Sequence, residues 1–391
     1  MKLPTLLIIP LICFGAEFSE VFEKALKHSP TLQAKYERIL ASRETINSEV
    51  TYKNPIITIG ANDLLLNENF LKRGSEPMQT QFIGITQEFE TFGKLDLKEA
   101  ILRADTLVLE YELEDLKLDL YKKTALSVER ILTFNTIIDK LEQKKSNLVA
   151  LLGYYENSIS VVDGFKVVVE IQKKIFGVED KILELKDKLE SFKNEFKYLT
   201  NQDFTVVKSP EIADEFFQEE IKKSPKYKVF EVKTKQLELQ RRVEERKKYS
   251  NISLNVSYNH REKFDDYLSL WASFALPIYG IEDAKVKKTQ HLISENIQTE
   301  ENYMQKADML FENNHKQVEY LSTRVKNLDV MLEKYKELNA YDKSNIKNSV
   351  MLEKNIENEN LLLDLEIEKL KYKLDIKTAL FELFYLTKEN L

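Results

Sequence analysis

Apolar and polar residues alternate with period two in four short stretches of the chain, and between them apolar positions recur at helical spacing. The cleanest alternation runs from Asn251 to His260, where Ile252, Leu254, Val256 and Tyr258 interleave with Ser253, Asn255, Ser257 and Asn259. From Tyr267 to Ile278 the rule continues. Leu268, Leu270, Ala272, Phe274 and Leu276 fall on one face, while Ser269, Ser273 and the only tryptophan, Trp271, fall on the other. Such alternation predicts strands with one apolar and one wet face. Weaker versions over Thr51 to Ala61 and Gln79 to Glu90 make four strands in two pairs. Each pair closes at a glycine behind an aromatic residue, Phe92-Gly93 and Tyr279-Gly280.

After each pair the period changes. Asp96 to Leu152 contains no proline, and Gly153 follows at its end, so one helix of about 85 Å is possible at about 1.5 Å per residue. Leu109, Leu113, Leu116, Leu120, Thr124, Ser127, Ile131, Phe134, Ile138 and Leu141 step along it by fours and threes, the seam of a coiled coil. A return helix is predicted from Phe165 to Leu199. The later part of the chain repeats the plan with helices from Asp283 to Leu338 and from Lys343 to Leu386, where Leu363, Ile367, Leu370, Leu374, Phe381 and Phe384 keep the spacing and Lys377 interrupts it. Helices longer than a compact domain must pack lengthwise on each other and on further copies.

The duplication has a marker at its start: Ser29-Pro30 in ALKHSPTLQAKYERI recurs as Ser224-Pro225 in EEIKKSPKYKVFEVK, with Ser suited to cap and Pro to the first helical turn. The chain therefore divides into a first structural repeat over 16–200, a linker over 201–218 and a second repeat over 219–391. Ahead of them, Met1-Lys2 is followed by an apolar run from Leu3 to Phe14 and then by Gly15-Ala16. That run is too short to span a core of about 30 Å and has the form of a signal peptide over residues 1–15, with Cys13 and Gly15 as the small residues before the cut. Lipidation at Cys13 would call for a small residue at position 12, which is Ile12.

No later segment reaches the roughly 18 consecutive apolar residues of a membrane helix, so any membrane passage must be by strands. Strands of about 9 to 11 residues suffice when tilted, but four cannot close a barrel whose smallest members have about eight. An open edge in lipid leaves backbone groups unpaired, so the chain would have to oligomerise. Three copies would supply twelve strands.

Composition narrows the chemistry. Nine Gly and eight Pro in 391 residues, with 31% charged and 43% hydrophobic residues, describe long helices rather than a β-sandwich or a doubly wound fold. A formal charge of −7 and no concentrated basic stretch argue against nucleic acid as a partner. One Cys and four His show no metal-ligand spacing. There is no phosphate loop, nucleophile elbow or zinc signature, so the chain reads as a non-enzyme without a cofactor or metal.

These pieces resemble the TolC-like family of outer-membrane efflux proteins. The likeness lies in ALKHSPTL, in ITQEFETFGK from Ile85 to Lys94, in LSLWASFALPIYG from Leu268 to Gly280, and in the two-fold repeat, and it covers nearly the whole chain after the signal peptide. It implies a mainly α protein with a membrane β-barrel portion: long coiled-coil helical hairpins forming an α-barrel, four strands per chain, and a homotrimer with a twelve-stranded barrel. It also implies a Gram-negative outer-membrane location with a large periplasmic extension. The implied activity is a passive exit duct working with a periplasmic adaptor (membrane fusion protein) and an inner-membrane transporter.

Ser253, Asn255, Ser257, Ser269 and Ser273 would then face the lumen. In this family the tips of the helical hairpins open or seal the duct. The first tip reads Tyr154 to Ser160, with Asn157 in place of the expected glycine, and Tyr154, Asn157, Ser160 and Asp163 are its gate candidates. The second reads Tyr335 to Asp342, with Tyr335, Asn339 and Asp342 as candidates. Asn tolerates a left-handed turn better than other non-glycine residues. Drugs, divalent metal ions and secreted peptides all stay open as cargo, and the competing class is a periplasmic coiled-coil adaptor or structural protein without a barrel.

Overall fold

The structure, a computed structural model, describes residues 17–66, 72, 76–156, 162–205, 207–213, 215–344 and 349–391. The expected signal peptide, Asn157 and Ser160 lie outside the described residues. In chain order the elements are α1 (Phe18–His28), α2 (Pro30–Glu49), β1 (Ile56–Asn62), β2 (Thr80–Phe89), α3 (Lys94–Glu156) and α4 (Val162–Thr200). A 3₁₀ turn at Gln218–Lys223 leads into α5 (Pro225–Arg246), β3 (Ile252–Arg261), β4 (Tyr267–Ser273), α6 (Ile281–Ser344) and α7 (Ser349–Thr387). Two compact units form, one from Ala34–Leu113 and Lys226–Tyr303, the other from Met1–Gln33, Glu114–Pro225 and Met304–Leu391. Each contains pieces of both repeats.

The first of these units carries the sheet. Its four strands are antiparallel in the order β1-β2-β3-β4, so the hairpin of one repeat joins that of the other through β2 and β3, paired from Thr80↔Arg261 to Phe89↔Ile252. The central strands occupy the expected stretches. The edge strands are shorter than the alternation predicts: β1 begins at Ile56 rather than Thr51, and β4 ends at Ser273 rather than Ile278. Pro55 and Pro277 stand in the missing parts and have no N–H for a ladder. The β3 ladder also stops at Ser253↔Ser273, and the Ser250 hydroxyl donates to the Ala275 carbonyl instead.

At the helix end of the sheet, charged side chains serve as fasteners. Lys94 is 8% exposed and donates to the Tyr249 carbonyl and, at 2.7 Å, to Asn251 Oδ1. Asn251 in turn donates to Glu88 at 2.9 Å, and Lys53 pairs with Glu88 at 2.8 Å. Gly93 turns the chain here at φ +65°, where a Cβ would lie 3.1 Å from the Arg246 guanidinium, so a side chain would be both strained and crowded. Along α3, Ser42 meets Thr106 at 2.8 Å and Lys35 pairs with Glu112 at 2.8 Å, fixing α2 alongside.

The other unit has a conventional core. The α3 seam is buried at Leu120, Thr124, Ser127, Ile131, Ile138 and Leu141, and Phe134 packs edge-on against Phe192 of α4 with ring centroids 5.0 Å apart. From α1, Phe18 and Phe22 meet the Tyr121 ring edge-on at 5.2 and 5.1 Å, and Tyr121 stacks on Phe384 of α7. The linker contributes Val207, buried to 1%, and Ser209, which donates to Glu129. Lys377, the polar interruption of the α7 stripe, lies 3.7 Å from this same Glu129 and supplies a half-buried carboxylate with its counter-charge. Outside the core, Lys140–Glu366 at 2.5 Å and Lys144–Asp364 at 2.6 Å bridge α3 to α7, and Lys145–Glu179 at 2.8 Å bridges α3 to α4. Among the described residues no helix is long and apolar enough to cross a membrane.

Candidate functional site

In the sheet, burial is inverted. Every apolar residue on one face of β3 is open, with Ile252, Leu254, Val256 and Tyr258 between 39% and 46% exposed. The polar residues between them are covered: Asn255 is 7%, Ser257 2% and Asn259 4% exposed. The register carries the two rows of residue types across all four strands, while the covering of the polar face is confined to the central ones. Ile57, Ile85, Val256 and Leu270 form one apolar row, and Ile59, Ile83, Tyr258 and Leu268 the next. The opposite face has the rows Thr58, Gly84, Ser257, Ser269 and Ile56, Thr86, Asn255, Trp271.

Hydrogen bonds link side chains along the polar face, although Asn255 Oδ1 and Thr80 Oγ1 are buried there without a partner. Asn255 Nδ2 donates to Thr86 Oγ1 at 2.6 Å, and Asn259 Nδ2 donates to Ser269 Oγ at 3.0 Å and to Ser257 Oγ at 3.3 Å. Of the five strand residues singled out from the sequence, Asn255 and Ser257 are buried, Ser253 and Ser269 are half-buried, and Ser273 is exposed. All five lie on this one face, with Ser253 opposite Ser273 and Ser257 opposite Ser269. Thr86 and Asn259 belong with them, and both could have been read from the same alternation.

The turn between β3 and β4 is tied by one carboxylate. Asp266 accepts from the Tyr258 hydroxyl, from the Arg261 backbone N–H at 2.9 Å, and faces His260 Nδ1 at 2.9 Å. These bonds hold its carboxyl down at about 2, the Tyr258 hydroxyl contributing most. Arg261 donates to the Asp265 carbonyl at 2.8 and 3.1 Å and stands over the Phe264 and Tyr267 rings.

The helical tips differ from the expectation in one respect. Helix α6 runs on to Ser344, so Tyr335 and Asn339 sit within a helix and not in a turn, and Lys343 lies in the last turn of α6 rather than starting α7. The reason is local: residues 335–344 contain no Gly or Pro, and Asn339, instead of bending the backbone, accepts from Asn355 of α7 at 3.2 Å. Tyr335 packs against Leu328, Leu332 and Leu365. Asp342 accepts from Asn358 at 2.7 Å, and Lys343 pairs with Glu359 at 3.3 Å.

On the first hairpin, Tyr154 lies in the last turn of α3, its ring edge-on to Tyr155 at 5.7 Å, and Asp163 stands in the first turn of α4. Tyr155 donates to Glu353 of α7 at 2.6 Å, a bond that pushes its hydroxyl up to about 12. One stretch of α7, from Glu353 to Glu359, thus bonds to both α3 and α6. Sequence reasoning missed Glu353, Asn355 and Asn358; the polar run KNIENEN from Lys354 to Asn360, facing NAYD on the previous helix, was the available signal. Among the described residues no group of three His, Cys, Asp or Glu is placed to hold a metal ion.

Comparison with known proteins rests on structure: no family model and no curated protein sequence matches the chain. The open-state MtrE outer-membrane channel of Neisseria gonorrhoeae superposes with a TM-score of 0.77 at 14% identity, over 96% of this chain and 90% of that one. The transmembrane channel CusC gives 0.76 at 12% identity, over 96% and 92%. The CmeC outer-membrane channel of Campylobacter jejuni gives 0.72 at 12% identity, over 95% and 86%. From end to end, and with four strands set among paired long helices, this chain has the TolC-like fold of these channels.

Proposed function

We propose that the protein is a passive outer-membrane channel of a tripartite efflux system in a Gram-negative cell, assembled as a homotrimer whose strands close one twelve-stranded barrel. The observation that carries this reading is the inverted burial of the sheet. A face of Ile, Leu and Val left open costs free energy in water at about 25 cal/mol per Å² and is satisfied in lipid. The opposite face, hydrogen-bonded among its own Asn, Ser and Thr side chains, suits a watery lumen. β1 and β4 each have one side without a partner strand in the single chain, and further copies would supply it. The likeness to MtrE, CusC and CmeC supports the same role.

Ser253, Asn255, Ser257, Ser269 and Ser273 would line the lumen. The helical hairpin ends would gate the duct, with Tyr154, Asn157, Ser160, Asp163, Tyr335, Asn339 and Asp342 as the residues to examine, and Tyr155–Glu353 as a bond that must break if α3 and α7 separate. Opening would follow docking of a periplasmic adaptor joined to an inner-membrane transporter, and this subunit would consume no energy and catalyse no reaction. The cargo would be a drug or a metal ion chosen mainly by the transporter. Membranes extracted with and without detergent provide the test. A detergent-requiring trimer that survives unheated gels and conducts in planar bilayers is expected, whereas a monomer soluble without detergent would assign the chain to the coiled-coil adaptors instead.

A further inference from the structure

We propose that the middle of the sheet's polar face passes solutes of either charge sign without preference, so that any discrimination between anions and cations by this chain arises at the end rows of that face or beyond them. The inference rests on the reading that this face lines a water-filled lumen. Three successive rows carry it: Gly60, Phe82, Asn259, Tyr267; then Thr58, Gly84, Ser257, Ser269; then Ile56, Thr86, Asn255, Trp271. None of these twelve residues is ionisable near neutral pH, although the chain as a whole is 31% charged. Amides and hydroxyls both donate and accept, so they solvate anions and cations alike.

Charge appears only where the polar face ends. Arg261 lies one row beyond Asn259, and Glu88, paired across from Ser253, lies one row beyond Asn255. Both are engaged: Glu88 by Lys53 at 2.8 Å and Asn251 at 2.9 Å, and Arg261 by the Asp265 carbonyl and two aromatic rings. Ser257 is four residues along β3 from each of those end rows, about 13 Å at a rise of ~3.3 Å per residue. That exceeds the Debye length of about 8 Å at physiological ionic strength, so the middle of the wall is screened from both ends. Lumen walls that select by sign do so with rings of charged side chains, and the three middle rows of this one have amide, hydroxyl and aromatic groups instead.

The chain supplies its own probe, because its single tryptophan lies on this wall opposite Asn255. Full-length trimer in liposomes is titrated with iodide, caesium and acrylamide, each normalised to free N-acetyltryptophanamide. The expected result is equal normalised quenching by iodide and caesium, and a ratio shifted severalfold towards caesium in Ser269→Asp and, should that variant not assemble, in Ser273→Asp. A wild-type ratio beyond about threefold, which a wall potential of only half a kT would produce, overturns the proposal. So does an unchanged ratio in whichever Asp variant assembles, or quenching by brominated lipid with none from the aqueous quenchers. Planar-bilayer conductance of the same preparation is recorded in parallel, so that failure of the channel reading shows as absent conductance and is separated from a sign-selective wall.

Discussion

The sheet and the helical core follow opposite rules within one chain. On α3, Ile131 is 0% exposed and the charged residues Lys140 and Lys144 pair across the surface to α7. On β3, Val256 is 43% exposed and Ser257 beside it only 2%. The same residue types are placed in reverse, as the proposed function requires of two regions facing different solvents. The helical core excludes water from apolar side chains in the ordinary way, and in the channel proposed above the sheet would turn those side chains towards lipid, which does not penalise them.

Four measurements bear on this contrast, beginning with the largest expected effect. Ile131→Ala should cost about 2–5 kcal/mol, as for any filled interior, read as a lowered thermal midpoint by circular dichroism; a shift no larger than that of Val256→Ala would erase the distinction. Val256→Arg should cost about 2–4 kcal/mol in a lipid-facing position but within about 0.5 kcal/mol on a wet surface. The trimer fraction on unheated gels decides between them, and an unaffected trimer would mean the exposed face is wet after all.

Lys94→Met should cost about 1–3 kcal/mol, because Asn251 Oδ1 and the Tyr249 carbonyl lose their donor while partly buried; denaturant midpoints measure it, and a neutral outcome would show that water replaces the ammonium. The smallest effect concerns pH. The Asp266 carboxyl is more acidic folded than unfolded, so its contribution is complete above the ordinary carboxylate range near pH 4 and is lost as pH falls through about 2. Hydrogen exchange of the Arg261 amide should stay protected at pH 4 and open towards pH 2, and Asp266→Asn should abolish that dependence.

Much of this architecture was legible because its signals are local. Period-two alternation located β2 and β3, and the four-three steps of Leu120 to Leu141 located the buried side of α3. The errors fall where a partner decides the outcome. Residues 51–55 and 274–278 carry strand-like patterns at the outer edges, but a ladder needs a neighbour with free N–H groups, and Pro55 and Pro277 break the run. The pairing of β2 with β3 joins residues more than 160 positions apart, for which no local pattern exists. The end of α6 was set too early, at Leu338, because Asn339 has a turn-forming side chain; in the fold the helix continues and that side chain accepts from Asn355, a partner invisible in the sequence. Lys377 looked like a flaw in an apolar stripe until Glu129 supplied its reason.

The strand count of a single chain has a consequence for how copies can join. Four strands alternate in direction, so the last runs opposite to the first. A second copy standing the same way up can therefore add its β1 beside the first copy's β4 and continue an antiparallel ladder without inversion. An odd count would force each successive copy to stand on its head or to pair in parallel. In the ring proposed above, parity would thus let every subunit stand the same way up, whatever their number, and leave the curvature of the wall to decide when the circle is complete.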